Sequence, residues 1–161
     1  MSFRTADLCD EYEGRQTLQI AEPIFRTFGG HSVFKGTIST VKVFEDNVLI
    51  RSALEENGQN RVLVVDGGGS HRCALVGSDL ARLAADNQWA GIIIYGCIRD
   101  SVALGDLPIG IRALHTHPLK SHKRGTGDRD VLITFAGVNF RTGHNLYADE
   151  DGIVVCESPL Q

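Results

Sequence analysis

The sequence predicts an α/β domain whose last third is almost entirely β. Three observations lead there. Short continuous apolar runs alternate with helix-period segments between about residues 38 and 115. After about residue 130 the chain carries four further short β-type runs and no helix-period segment. Eighteen glycines against four prolines give the chain many tight turns. Alternation implies parallel strands joined by right-handed crossovers, and the β-rich ending implies an added antiparallel sheet or small barrel.

The first 30 residues read as mostly irregular, with a short helix around Asp7 to Tyr12. Gly36 to Phe44 (GTISTVKVF) alternates apolar and polar residues, as a half-buried strand does. Asp46 or Asn47 starts a helix carrying Val48, Leu49, Ala53 and Leu54, which ends near Asn57-Gly58. Arg61 to Asp66 (RVLVVD) is apolar on both faces and predicts a buried strand, followed at once by Gly67-Gly68-Gly69-Ser70. Gly77-Ser78 opens the next helix, with Ser78 as its cap and Leu80, Leu83 and Ala84 on one face; it ends near Asn87. Gly91 to Tyr95 (GIIIY) is a second buried strand that Gly96 closes, so Cys97-Ile98-Arg99-Asp100 begins a loop or helix. Ile111 to His117 is a third strand, and Lys120 to Gly127 a basic loop. Val131 to Phe135, Val138 to Phe140, Leu146 to Ala148 and Ile153 to Val155 complete the β content.

The chain has 161 residues, the length of one domain, and a domain over 1–161 is large enough to bury a core without disulfide or metal. Sixteen basic against twenty acidic residues argue against a nucleic-acid-binding face, and no RNP-like aromatic pattern appears. No apolar run approaches the ~20 residues that span a bilayer. The N-terminus carries acids early and lacks the apolar stretch of a secretory signal. Cys9, Cys73, Cys97 and Cys156 are scattered without a CxxC pair, the pattern of free thiols in a reducing cytosol, so a cytoplasmic location is expected.

Five features are candidates for chemistry. Arg99-Asp100 follows a buried strand, where ligands gather in α/β sheets: the aspartate is suited to a hard divalent ion and the arginine to a substrate carboxylate, against the plain alternative of a loop ion pair. Gly67-Gly68-Gly69 is either a turn needing positive φ or an anion-binding turn; it matches neither a Walker loop nor GxGxxG. Gly77-Ser78-Asp79-Leu80 is a helix start, whose N–H groups bind carboxylates or merely await a cap. His115 and His117 share one face of a strand and are candidate metal or substrate ligands without an evident third partner. Lys120 to Arg124 is a solvated basic loop or a lure for an anionic substrate or acidic partner. Cys97, beside the Arg-Asp pair, is a further candidate for lining a site.

The stretches DLCDEY (Asp7 to Tyr12), EPIFRTFGG (Glu22 to Gly30), VKVFEDN (Val41 to Asn47), RVLVVDGGGSHRCALVG (Arg61 to Gly77), GIIIYGCIRD (Gly91 to Asp100) and LYADEDGIVV (Leu146 to Val155) together resemble the family of regulator of ribonuclease activity A. That family is related to the class II 4-hydroxy-4-methyl-2-oxoglutarate aldolases. Some members carry an older menaquinone methyltransferase label; only the glycine-rich turn here suits a methyl-donor site, so that label is discounted.

The resemblance implies a three-layer β/β/α fold of the swivelling type, a homotrimer and a divalent-metal site between subunits. Arg99-Asp100 matches the aldolase branch's Arg-Asp pair and Gly77-Ser78-Asp79-Leu80 its substrate-binding helix start. Carried over, Arg99 binds substrate and Asp100 holds Mg²⁺ or Mn²⁺. Ser78-Asp79 departs from the aldolase segment, so backbone N–H roles are what carry over there. The implied substrate is a small 2-oxo acid, cleaved to pyruvate through an enolate that the metal stabilises, and oxaloacetate decarboxylation passes through the same enolate. No lysine is clearly placed for a Schiff base, which favours metal over imine chemistry. The regulator branch often lacks the acid after the arginine, and Asp100 is present. The same resemblance implies a second role, binding and inhibiting a ribonuclease, which the acidic balance suits.

Overall fold

The computed structural model describes residues 2–15 and 17–160. The framework is a parallel set of four strands: β3 (Phe34–Lys42), β4 (Val62–Asp66), β6 (Gly91–Ile98) and β7 (Gly110–Thr116), paired side by side in that order. Antiparallel strands extend the sheet at both ends. Beyond β3 lie β11 (Asn145–Ala148), β12 (Ile153–Cys156) and β1 (Gln19–Ile20); beyond β7 lies β2 (Arg26–Phe28). The short β5 (Ala74–Val76) adds to β6, and β8 (Asp128–Arg129) to β3. A hairpin, β9 (Ile133–Phe135) and β10 (Val138–Phe140), stands apart as a second sheet.

The apolar runs at 62–66 and 91–98 supply both faces of the sheet, which fixes a three-layer arrangement. Leu63, Val65, Ile92 and Ile94 face α2 (Val48–Leu54), α3 (Ser78–Asp86) and α4 (Ser101–Leu104), with Ile50, Leu54, Leu80 and Ala84 in the same core. Val62, Val64 and Ile93 point the other way, onto Ile133, Phe135, Val138 and Phe140 of the hairpin and Leu146 and Val155 of the curled antiparallel strands. A fully buried isoleucine such as Ile93 contributes about 1.5–3 kcal/mol from burial alone. Helix α1 (Thr5–Tyr12) packs Leu8 against Tyr147 and Cys156. This is the α/β fold with an antiparallel addition that the apolar pattern predicts.

Four local expectations are corrected. The segment before residue 30 holds two edge strands, β1 and β2, of two and three residues, too short to show a period. Strand β5 also falls below that threshold. Gly96 does not close β6: the strand runs on to Ile98 because β5 pairs with it on one side and β7 on the other (Ala74 opposite Cys97, Cys97 opposite His115). Helix α2 ends at Leu54, short of Asn57-Gly58.

Candidate active site

The extension of β6 and the insertion of β5 build the site. After Asp66 the chain leaves the sheet through Gly67–Gly69 and returns as β5 beside the far end of β6. The Arg99 N–H then donates to the Val76 carbonyl at 3.0 Å. Residues 22 apart in sequence thereby meet: the start of α3 lies against Arg99-Asp100. Ser78 donates to Asp100 Oδ2 twice, from its N–H at 2.8 Å and from Oγ at 3.0 Å. The helix has Gly77 as its N-cap residue, and the cap of this N-terminus is Asp100, supplied across the strand ends, not the Ser78 side chain. Gly77 lets Asp100 come this close, since a Cβ there would lie 2.8 Å from Asp100 Oδ2 and push that side chain away.

Asp100 has φ +59°, a left-handed conformation that aspartate tolerates better than most residues but still at a cost. The two hydrogen bonds from Ser78 hold its carboxyl below the usual carboxylate range against the opposing effect of burial, with a lesser contribution from the nearby Arg99 guanidinium. It is therefore ionised at neutral pH. Its second oxygen, Oδ1, accepts no hydrogen bond among the described residues. Arg99 is equally exposed and has no ion-pair partner among the described residues; one N–H reaches the Pro118 carbonyl at 3.4 Å.

Arg99 and Asp100 line a cavity of about 200 Å³ with Gly77, Asp79 and Leu80. Leu80 is buried with the helix-side core, 4% exposed. The sequence names the basic loop as a lure for an anion, but not its place opposite Arg99-Asp100 nor the part of Arg51 in the other wall. Arg51 comes from α2, and Lys120 and Lys123 from the basic loop after β7. That loop is sewn back onto the sheet by Ala74 N–H to Leu119 O at 2.7 Å and His122 N–H to Glu45 O at 2.8 Å. Arg51, Arg99, Lys120 and Lys123 outnumber Asp79 and Asp100, so the cavity favours an anion of more than one charge. Both lysines are exposed, and Lys123 Nζ donates to Asn47 Oδ1 at 2.9 Å; Schiff-base lysines are desolvated instead.

Among the described residues no three His, Cys, Asp or Glu side chains converge, so there is no closed protein cage of the structural zinc type. A hard divalent cation needs less. Mg²⁺ keeps several waters and takes one or two carboxylates plus substrate oxygens, and the open oxygen of Asp100 with Asp79 on the same cavity fits that donor set.

The remaining candidates resolve as follows. Gly67 and Gly69 donate their N–H groups to Tyr95 O, both at 3.1 Å, and Gly68 donates to Asp66 Oδ1 at 2.9 Å, so the turn has none left for an anion. His115 approaches His71, ring centroids 6.1 Å apart, while His117 Nδ1 accepts from the Leu119 N–H. Cys97 is 1% exposed and burial pushes its thiol pKa up, the opposite of an activated nucleophile.

Comparison with known proteins gives the family and fold. The family model RraA-like (Aldolase/RraA) matches residues 5–155. A protein of Methylococcus capsulatus Bath, provisionally named 4-hydroxy-4-methyl-2-oxoglutarate aldolase, is 69% identical over 160 residues, covering 99% of each chain. The solved structure of the RNA-processing inhibitor RraA from Thermus thermophilus superposes with TM-score 0.95 at 44% identity, covering 100% of this chain and 96% of that one. A structure from Geobacillus kaustophilus HTA426 named as an S-adenosylmethionine:2-dimethylmenaquinone methyltransferase superposes with TM-score 0.94 at 51% identity, covering 98% and 97%. The methyltransferase name is set aside for this chain, whose glycine turn spends its N–H groups internally.

Proposed function

The chain belongs to the RraA-like family, and on that premise we propose that it is a divalent-metal-dependent class II aldolase. The proposed substrate is a 2-oxo acid of the 4-hydroxy-4-methyl-2-oxoglutarate type, cleaved to pyruvate, with oxaloacetate decarboxylation at the same site. The provisional aldolase name of the 69% identical relative supports the reaction class. One observation carries the reading: an ionised carboxylate with an uncommitted oxygen sits beside an unpaired arginine in a cation-rich cavity at the strand ends.

Arg99 binds a substrate carboxylate through its planar fork and places the 2-oxo group next to Asp100. Asp100, held by Ser78, keeps its free oxygen aimed at one place, so no reorganisation is needed on binding. Asp100 would hold the divalent cation, which would supply Lewis-acid stabilisation of negative charge on the 2-oxo oxygen. Arg99 adds a fixed positive charge to the same region. Lys120, Lys123 and Arg51 take the remaining carboxylate, and a substrate with two carboxylates is the one whose charge these cations match.

The test is oxaloacetate decarboxylation by purified protein, first in EDTA and then with Mg²⁺ or Mn²⁺, wild type beside Asp100→Ala. Metal-stimulated turnover lost in the variant is the expected result. Turnover no greater than that of the metal ion alone removes the proposal.

A second role rests on the likeness to the RNA-processing inhibitor RraA: binding of a ribonuclease, through acidic surface meeting basic segments. It predicts association that weakens with salt and is indifferent to Asp100→Ala, measured by sedimentation with a ribonuclease of the E type.

A further inference from the structure

We infer that Asp46 is a positioning residue for this site: its carboxylate fastens the basic strap 120–127 so that Lys120 and Lys123 face Arg99 and Asp100. The inference rests on the catalytic reading for its consequence, though not for its geometry.

Asp46 is 1% exposed and lies just before α2. Both of its oxygens are spent on backbone N–H groups. Oδ1 accepts from Val48 at 3.0 Å, and Oδ2 from Arg124 at 2.7 Å and Gly125 at 3.0 Å. Burial by itself raises its pKa, but the N–H groups of Val48, Arg124, Gly125 and Thr126 outweigh that and hold it below the usual range. A carboxylate so saturated does not bind substrate. It ties a distant loop to the helix start.

Backbone bonds to Ala74, Glu45 and Asn47 hold the strap as far as His122, and Asp46 takes the N–H groups of Arg124 and Gly125 that follow. Residues 122–127 are all exposed, and Ser121 alone among 120–127 is buried. No apolar side chain of that stretch reaches the core, so the fastening is polar. The neighbours of Asp46 complete it. Glu45 O accepts from His122 N–H at 2.8 Å, and Asn47 N–H donates to His122 O at 3.3 Å. Asn47 Oδ1 takes Lys123 Nζ at 2.9 Å while its Nδ2 donates to Leu75 O at 3.0 Å, which links the strap to β5. The chain then passes β3 so closely that a Cβ on Gly127 would lie 2.5 Å from Lys42 O.

Electrostatics gives the reason such a fastening is needed. Without an anion, Lys120, Lys123, Arg51 and Arg99 repel one another across the cavity. Left to itself, an exposed loop carrying two of those charges relaxes outward into water. Asp46 holds it in the binding position before the anion arrives, which is preorganisation supplied by a residue the substrate never touches.

The experiment pairs hydrogen exchange with binding of oxalate, a dicarboxylate probe, in the presence of Mg²⁺. In Asp46→Ala the amides of Arg124 and Gly125 exchange about tenfold faster or more, the scale of losing hydrogen bonds to a charged group. Oxalate affinity falls about tenfold as well, and Lys123→Ala added to Asp46→Ala weakens it little further, because a mispositioned lysine has already stopped contributing. Asp46→Asn, which preserves shape and one accepting oxygen, falls between wild type and Asp46→Ala and replaces the alanine variant if that one does not fold. Unchanged exchange at Arg124 and Gly125 overturns the inference, and so does faster exchange with wild-type oxalate affinity. Wild-type protein that binds no oxalate counts against the catalytic reading instead, and exchange alone then decides the fastening.

Discussion

Asp100 and Asp149 are the same residue type, both drawn below the usual carboxylate range, yet they occupy opposite kinds of place. Asp149 is 6% exposed and its own chain consumes it: Thr5 donates to it from N–H at 2.7 Å and from Oγ1 at 2.6 Å, and Asp151 N–H at 2.9 Å. Arg112, also buried, donates to the Asp149 carbonyl at 3.0 Å and to Ser32 O at 2.6 Å. That region ties α1 to the loop between β11 and β12. Asp100 is exposed, bonded through one oxygen only, and shares its cavity with cations that form no ion pair among the described residues. The difference teaches that a depressed carboxyl pKa does not by itself mark function. What separates the two is whether the chain has left the group any capacity to bind something else.

Exchanging the two aspartates' fates breaks the comparison most sharply. Asp100→Ala lowers kcat/KM for metal-stimulated decarboxylation by about 10²–10³, the scale of removing one fixed electrostatic contact, and costs only about 1 kcal/mol of stability, the loss of one helix cap. Asp149→Ala does the reverse: it destabilises the fold by about 2–4 kcal/mol, since it orphans the buried Thr5 donors, and leaves KM and kcat near wild type. Equilibrium urea unfolding beside steady-state kinetics reads both.

Gly77→Ala is subtler. The new Cβ meets the movable end of Asp100 and not the backbone, so the fold persists, the Ser78 contacts are lost and activity falls about tenfold, one displaced hydrogen-bonded charge. An alanine variant as active as wild type would show that the position of Asp100 Oδ2 is unimportant.

Acid supplies the mildest perturbation. The carboxyls of Asp100 and Asp149 have folded pKa values below their unfolded ones. Each therefore contributes stability that is fully present above the unfolded value of about 3.9 and lost as pH falls through the folded value. Glu45, held at about 2 by Arg72 and Ser70, loses its share between about 4.5 and 2. Stability from these groups is flat from pH 5 to 7 and declines below about 4. Asp149→Asn makes that decline shallower, whereas Arg72→Ala, which removes only an exposed partner, changes it least. Thermal midpoints measured from pH 7 to 2.5 give all three slopes.

The amino-acid sequence by itself determined the parallel core, the helix at 78–86 and the nomination of Arg99-Asp100. Runs such as VLVV and IIII report burial on two faces, amphipathic spacing reports a helix, and a charged pair after a buried strand stands where α/β sheets bind ligands. All of these are local signals. Only the tertiary structure decided that β6 runs past Gly96, that β5 slips in beside it, and that Ser78 consequently caps itself with Asp100. Those outcomes depend on pairing between strands that are separate in sequence and too short to carry a period of their own. The same holds for the strap. Asp46 reads as a helix start and Lys120 to Arg124 as a solvated loop or a lure for an anionic substrate or acidic partner, and nothing in either segment announces the other. Folding alone makes one the anchor and the other a wall of the cavity, since a buried carboxylate must find N–H donors and the strap is where they lie.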